Sequence, residues 1–252
     1  MSTVDWSGWR GQAGEPAAEG LRERKKRLMR QRLSDTATEM FLEHGFDGVR
    51  VAEIARACGV SEKTVFNYFP TKESLILDLG EATTTALRTH LAVPDRCPVD
   101  AVLQVLSDEL HSMTSWIADQ EDPAQAAATI RRFRELTRST PSLRAYHHDM
   151  TERLIDVAAQ ALAQRTGTSP DDPEPQIAAT ALLGLWPIQF RSLGKNLQST
   201  HTPEQLHQAV TTDVRRAAKL IKAGLASFAA LSKPPTPTLA THPKQEQGPP
   251  TR

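Results

Sequence analysis

Apolar side chains recur at three- and four-residue intervals along most of this 252-residue chain, and no stretch alternates apolar with polar positions for a useful strand length. The pattern predicts an all-α protein of about nine helices. The first runs from Leu21 to His44, with Leu28, Leu33, Ala37, Met40 and Phe41 on one side and Gly45 as its stop. Two short helices follow. Val51, Ile54, Ala55 and Cys58 share a face of the first of them, and Gly59 supplies a turn position open to positive φ. Ser61 then opens the second, which ends at Phe69 ahead of Pro70. That helix is barely two turns long, so Val60, Val65 and Phe69 must hold it by packing. Thr71 is placed to cap a fourth helix that continues to about Leu91.

Arg96, Cys97 and Pro98 break the pattern, and five further helices are expected after them. Val99 to Asp119 carries Val102, Leu103, Leu106, Leu110, Met113 and Trp116 or Ile117 on one stripe. Asp122 and Pro123 open a helix reaching about Arg138, and Pro141 opens another that stops at Gly167. Pro175 to Leu197 is strongly apolar and should kink at Pro187. Thr202 and Pro203 start the last, which continues through Leu206, Val210, Val214, Ala217, Leu220, Ile221, Leu225 and Phe228. Four regions follow from this: a mobile arm, 1–20, carrying Trp6 and Trp9; a first helical domain with its linking helix, 21–95; a second helical domain, 96–231; and a disordered Pro-rich tail, 232–252.

Basic and acidic residues balance, 30 against 30, so the chain as a whole has no polyanion-binding charge. The balance is uneven along it. Leu21 to Arg32 holds Arg22, Arg24, Lys25, Lys26, Arg27, Arg30 and Arg32 against the one acid Glu23. Such a run is either a solvated helix face or a set of phosphate contacts, and its position just ahead of two short helices favours the second. Two cysteines give no disulfide framework; Cys58 falls on a packed face and Cys97 in a loop. No apolar stretch approaches the roughly 18 residues needed to span a bilayer, and the N-terminus is polar, so a cytoplasmic protein without a membrane partner is expected.

The helix opened by Ser61 turns Lys63, Thr64, Phe66, Asn67 and, at its flank, Tyr68 away from Val65 and Phe69. Lys, Thr and Asn on a short exposed helix suit the base edges of a major groove, and the pair of short helices reads as a helix-turn-helix with the second as reader. The run G-F-x(4)-V-x-x-I-A-x-x-x-G-V-S-x-x-T-V-F-x-Y-F-x-x-K-E-x-L, from Gly45 to Leu75, resembles the DNA-binding domain of the TetR (tetracycline-repressor-like) family. The resemblance implies a homodimeric, all-helical, ligand-responsive repressor of an inverted-repeat operator in double-stranded DNA. By position it places Lys63, Thr64 and Asn67 on bases and Tyr68 and Lys72 on phosphates, with Ser61 beside them and Lys25 and Lys26 along the backbone. Two positions depart from the family pattern. Arg50 replaces a capping hydroxyl residue and keeps only a reach to phosphate, and Phe66 replaces a tyrosine and keeps only apolar contact. The last two long helices would form the dimer interface, where Ala178, Ala179, Ala181 and Gly184 allow close approach.

No nucleophile elbow, phosphate-cradling glycine loop or CxxC pair is present, so neither an enzyme nor a cofactor is expected. Tyr146, His147, His148 and Asp149 invite a metal assignment, but adjacent histidines on a helix point about 100° apart and do not share an ion easily. A small-molecule effector is expected between the helices of the second domain. Met113, Trp116, Phe133, Met150, Trp186 and Phe190 are candidates for its lining, or for plain core. Arg131, Arg132 and Arg134 either accept an anionic group or form a solvated face.

Overall fold

Prolines open half of the helices and glycines close several, because a proline at the first helical position loses no intrahelical bond and a glycine just past the end adopts positive φ at little cost. In a computed structural model of the chain, which describes residues 20–77, 80–197 and 201–224, these signals divide the described backbone into ten α-helices. They are α1 (Leu21–His44), α2 (Val51–Ala57), α3 (Glu62–Tyr68), α4 (Gly80–Leu91), α5 (Pro98–Ala118), α6 (Pro123–Ser139), α7 (Pro141–Thr166), α8 (Pro173–Leu183), α9 (Leu185–Asn196) and α10 (Pro203–Gly224). No strand occurs among the described residues. Pro98, Pro123, Pro141 and Pro173 each stand at a helix start, and Gly167, at φ 68°, ends α7. Every predicted helix is present within the described residues; Trp6, Trp9, Leu225, Phe228 and the Pro-rich tail lie outside them.

The side chains bury in two clusters. One joins α1, α2 and α3 through Leu33, Ala37, Phe41, Ile54, Val65 and Phe69, and Phe133 of α6 and Leu143 of α7 insert into it. The other fills the space between α4, α5, α7, α8, α9 and α10. Arg165, in the last turn of α7, ties the α4–α5 connection by donating to the carbonyls of Pro94 at 2.8 Å and Arg96 at 2.7 Å. Carbonyls that no helix can satisfy are thereby paired.

Four details depart from the pattern read in the sequence. The helix expected from Thr71 to Leu91 is interrupted: a single 3-10 turn, Glu73–Leu75, comes first and α4 begins only at Gly80. Thr71 and Ser74 cap each other, each backbone N–H donating to the other's hydroxyl at 3.2 Å. Ser34 of α1 then donates its hydroxyl to the Leu75 carbonyl at 2.7 Å, taking an acceptor that a continuing helix would use. Leu28 is 49% exposed, because it stands five residues before Leu33, about 140° around the helix from the inner stripe. The break in the apolar segment falls at Gly184, between α8 and α9, and Pro187 sits inside the first turn of α9, where it needs no intrahelical donor. Ala178 and Ala179 are buried within the protomer, where α8 packs along α7, while Ala181 is half-buried, Gly184 exposed, and Ile177 of α8 and Leu220 of α10 are exposed at 65% and 79%.

Phe133 is 3% exposed and, with Leu136 packed beside the same cluster, belongs to the first cluster, whereas Ala126 and Ile130 of α6 belong to the second. Truncating it to alanine should empty a core site and lower the unfolding free energy in urea by about 3–5 kcal/mol. A loss below about 1 kcal/mol would show that α6 does not pack into the first cluster.

Candidate DNA-reading surface and effector cavity

The reading helix α3 is held at both ends and from beneath. Ser61 accepts from the Thr64 N–H at 3.1 Å, and its hydroxyl also meets that of Thr64 at 2.8 Å. Gly59, at φ 68°, makes the turn, and the Val60 N–H donates to the Ala55 carbonyl at 2.9 Å. Val65 and Phe69 are wholly buried. Arg30 of α1 donates to the Tyr68 carbonyl and lays its guanidinium 4.5 Å from the Phe69 ring centroid, so one member of the basic run secures α3 in place of reaching outward.

Above this base the side chains of Lys63, Phe66 and Asn67 are exposed, and those of Thr64 and Tyr68 half-buried. Lys25 and Lys26 are exposed on the first turns of α1, and Arg50 is exposed at the head of α2. The cap that Arg50 cannot supply comes from Glu53, whose carboxylate accepts from the Arg50 N–H at 2.7 Å. Glu53 was available in the sequence at the N3 position and was the missed signal. Lys72 departs from the position expected of a phosphate ligand. Its ammonium turns inward, donates to the Phe46 carbonyl and lies 4.4 Å from the Phe46 ring centroid. Burial lowers its pKa, and the nearby carboxylates of Asp47, Glu73 and Glu53 oppose that shift.

A cavity of about 260 Å³ opens between α4, α5, α6, α7 and α9, near the lower end of the range small-molecule sites occupy. Met113, Met150, Trp186 and Phe190 line it, as the sequence suggested. Trp116 and Phe133 do not. Trp116 lies about one turn beyond Met113 and is buried in the surrounding core, and Phe133 stands about 100° from Arg134 on α6 and faces α1 instead. Ala82, Thr83 and Ala86 bring α4 to one wall.

Of the polar groups of the cavity, Arg134 and His147 stood out in the sequence and Glu109 did not. Glu109 accepts from the Thr83 hydroxyl at 2.8 Å and from the Trp186 indole N–H at 3.0 Å. Burial outweighs both bonds and pushes its pKa up to about 6. His147, one of the adjacent pair, lines the cavity edge-on to Phe190 at 6.1 Å, and burial first, then His148, lower its pKa. His148 and Asp149 are exposed. No group of three or more His, Cys, Asp or Glu among the described residues is arranged to hold a metal ion. The basic run of α6 divides. Arg131 donates to the Leu197 carbonyl at 2.8 Å and Arg132 to the Leu42 carbonyl at 2.6 Å, while Arg134 lines the cavity.

A capped two-turn helix exposing Lys and Asn, set on a three-helix base beside a helical body that encloses a cavity, defines a helix-turn-helix regulator. Residues 33–79 match the family model described as bacterial regulatory proteins, tetR family, and residues 111–225 match that of the MftR C-terminal domain. The chain is 31% identical over 157 residues to the HTH-type transcriptional regulator TcmR of Streptomyces glaucescens, a match that covers 62% of this chain and 69% of that one. It is 29% identical over 162 residues, 64% of this chain and 78% of the relative, to MftR of Mycobacterium tuberculosis, named for the regulation of mycofactocin biosynthesis. Among solved structures, that of NalD, the secondary repressor of the MexAB-OprM multidrug efflux pump in Pseudomonas aeruginosa, aligns over 76% of this chain and 97% of its own at 21% identity, with a TM-score of 0.48. The chain belongs to the TetR family of DNA-binding transcriptional regulators. No helix among the described residues is long and apolar enough to cross a membrane.

Glu109 gives the fold a pH signature. A carboxyl whose folded pKa is raised from 4.5 to about 6 contributes stability that is present below pH 4.5 and lost as the pH rises through 6. At about 1.36 kcal/mol per pH unit this amounts to roughly 2 kcal/mol. Relative to Glu109→Gln, the wild type should therefore lose on the order of 2 kcal/mol in urea unfolding between about pH 4.5 and 7, with no further divergence above that. Parallel curves across this window would refute the assignment.

Proposed function

We propose that the protein is a repressor that binds an inverted-repeat operator as a homodimer, one α3 from each protomer in successive major grooves, and leaves the DNA when a small apolar or amphipathic molecule fills the cavity. In this reading residues 21–95 form the reader and its connector, and 96–231 the sensor and dimerisation unit. Lys63, Thr64 and Asn67 meet base edges, while Arg50, Tyr68, Lys25 and Lys26 meet phosphates. A single two-turn helix contacts few base pairs, so tight reading needs two copies about 34–36 Å apart. The outward Ile177 and Leu220, on α8 and α10, suit the contact between protomers. The cavity serves as a binding site in this reading, and its titratable groups hold an effector instead of performing catalysis.

The observation that carries the proposal is the position of α6. Arg134 lines the cavity, Phe133 is buried among the side chains of α1, α2 and α3, and Arg132 donates to the carbonyl of Leu42 on α1. Three consecutive residues thus touch both parts. An effector that fits one angle of α6 better than another shifts the spacing of the two readers without needing any further device.

Footprinting on the DNA flanking the protein's own gene tests the reader. Wild type should protect an inverted repeat, and Lys63→Ala and Asn67→Ala should each lose about 1–3 kcal/mol of discrimination while keeping salt-dependent non-specific binding. Protection of the same site at unchanged affinity by both variants would overturn the assignment of α3.

A further inference from the structure

Among the described residues, Arg134 is the one charged side chain of the cavity wall whose pairing the fold leaves unfinished. Its Nη1 is buried and no acceptor among those residues takes a hydrogen bond from it. The guanidinium lies beside the Phe190 ring, 5.4 Å from the centroid. Gly194, one turn beyond Phe190 on α9, also borders it: a Cβ there would fall on the guanidinium itself, so the glycine keeps the berth open. The charge that bears on it is repulsive: Arg138, which is already paired with Glu135 at 2.9 Å. A guanidinium cannot relieve this by losing its proton, so a half-buried cation whose Nη1 is buried without an acceptor carries a cost that a bound anion would offset.

We propose that the effector is an apolar molecule ending in one carboxylate, and that Arg134 is its anchor. The inference rests on reading the cavity as the effector site. A carboxylate matches the planar donors of a guanidinium and forms two parallel charge-assisted bonds with it. His147 stands against the same Phe190 ring and, as a neutral imidazole, has one ring N–H to offer. The remaining wall, with Met113, Ile130, Leu154, Leu183 and Leu193, suits an alkyl or aryl body. Of the two charged groups Glu109 is the better satisfied, since it accepts from Thr83 and Trp186 while no acceptor takes the Arg134 Nη1–H, so an anion gains more in this cavity than a cation does. The volume of about 260 Å³ favours a small ligand over one carrying a nucleotide.

Calorimetric titration of the full-length protein with decanoate, decan-1-ol and decyltrimethylammonium tests this. Decanoate should bind about ten- to a hundredfold more tightly than decan-1-ol, the span expected of a hydrogen bond to a charged group. Arg134→Gln should raise the decanoate Kd to that of decan-1-ol and leave the alcohol unchanged, and Arg134→Lys should retain part of the preference. Gly194→Ala, which fills the berth and keeps the arginine, should weaken decanoate by a smaller factor. The ligand-free Arg134→Gln protein should melt at or above the wild-type temperature, which separates loss of the anchor from loss of the fold. Equal binding of acid and alcohol by the wild type, an unchanged decanoate Kd in Arg134→Gln, or tightest binding of the ammonium probe overturns the anchor and leaves the cavity reading intact. Binding that Ala86→Trp, which blocks the cavity, does not reduce would defeat the cavity reading, and the anchor with it.

Discussion

A helix of seven residues does not persist alone in water, so the exposed face of α3 depends on the burial of two side chains, Val65 and Phe69, on its underside. They leave the opposite face to Lys63, Phe66 and Asn67, and they fix its direction. Everything beneath them serves that packing: Phe41 and Ile54 from the neighbouring helices, the Ser61 cap, and Arg30 bonded to the Tyr68 carbonyl over the Phe69 ring. The burial also explains why Lys72 is not outward. The carbonyl of Phe46 and two aromatic faces hold its ammonium, so it fastens the loop before α2 to the segment after α3.

The second part of the molecule is arranged around a different feature, a mostly apolar cavity with a few buried polar groups in its wall. Glu109 is satisfied by two donors, whereas Arg134 is not satisfied within the described residues. Buried charges tend to be paired or shed, and the Arg134 Nη1 is neither, which is the observation behind the anchor proposed for it. Because Arg134 follows directly on Arg132 and Phe133, whatever satisfies it acts on the helix that meets α1.

The elements themselves were legible from spacing and punctuation, since proline and glycine impose helix ends through backbone geometry that no packing has to decide. The outward face of α3 was legible too, because Ser61, Gly59 and the buried Val65 and Phe69 leave little choice about which side is exposed. Positions decided by contacts distant in sequence were not. Ser34 reaches across 41 residues to the Leu75 carbonyl and stops a helix that local pattern would continue. Phe133 and Arg134 are neighbours that periodicity alone could not assign to separate clusters, and Trp116 has the same apolar character as the lining residues without being one of them. His147 looked like half of an adjacent pair with little use, and only the course of α7 past Phe190 gives it a place.

The insertion of Phe133 and Leu143 among the side chains of α1, α2 and α3 also bears on how such proteins can be recombined. A chimera spliced near residue 95, joining this helix-turn-helix head to a foreign body, would carry two empty sockets where an aromatic ring and a leucine belong. Transplanting specificity therefore requires a donor whose sixth and seventh helices bring matching plugs, and the head and body of this chain are exchangeable only as a fitted set.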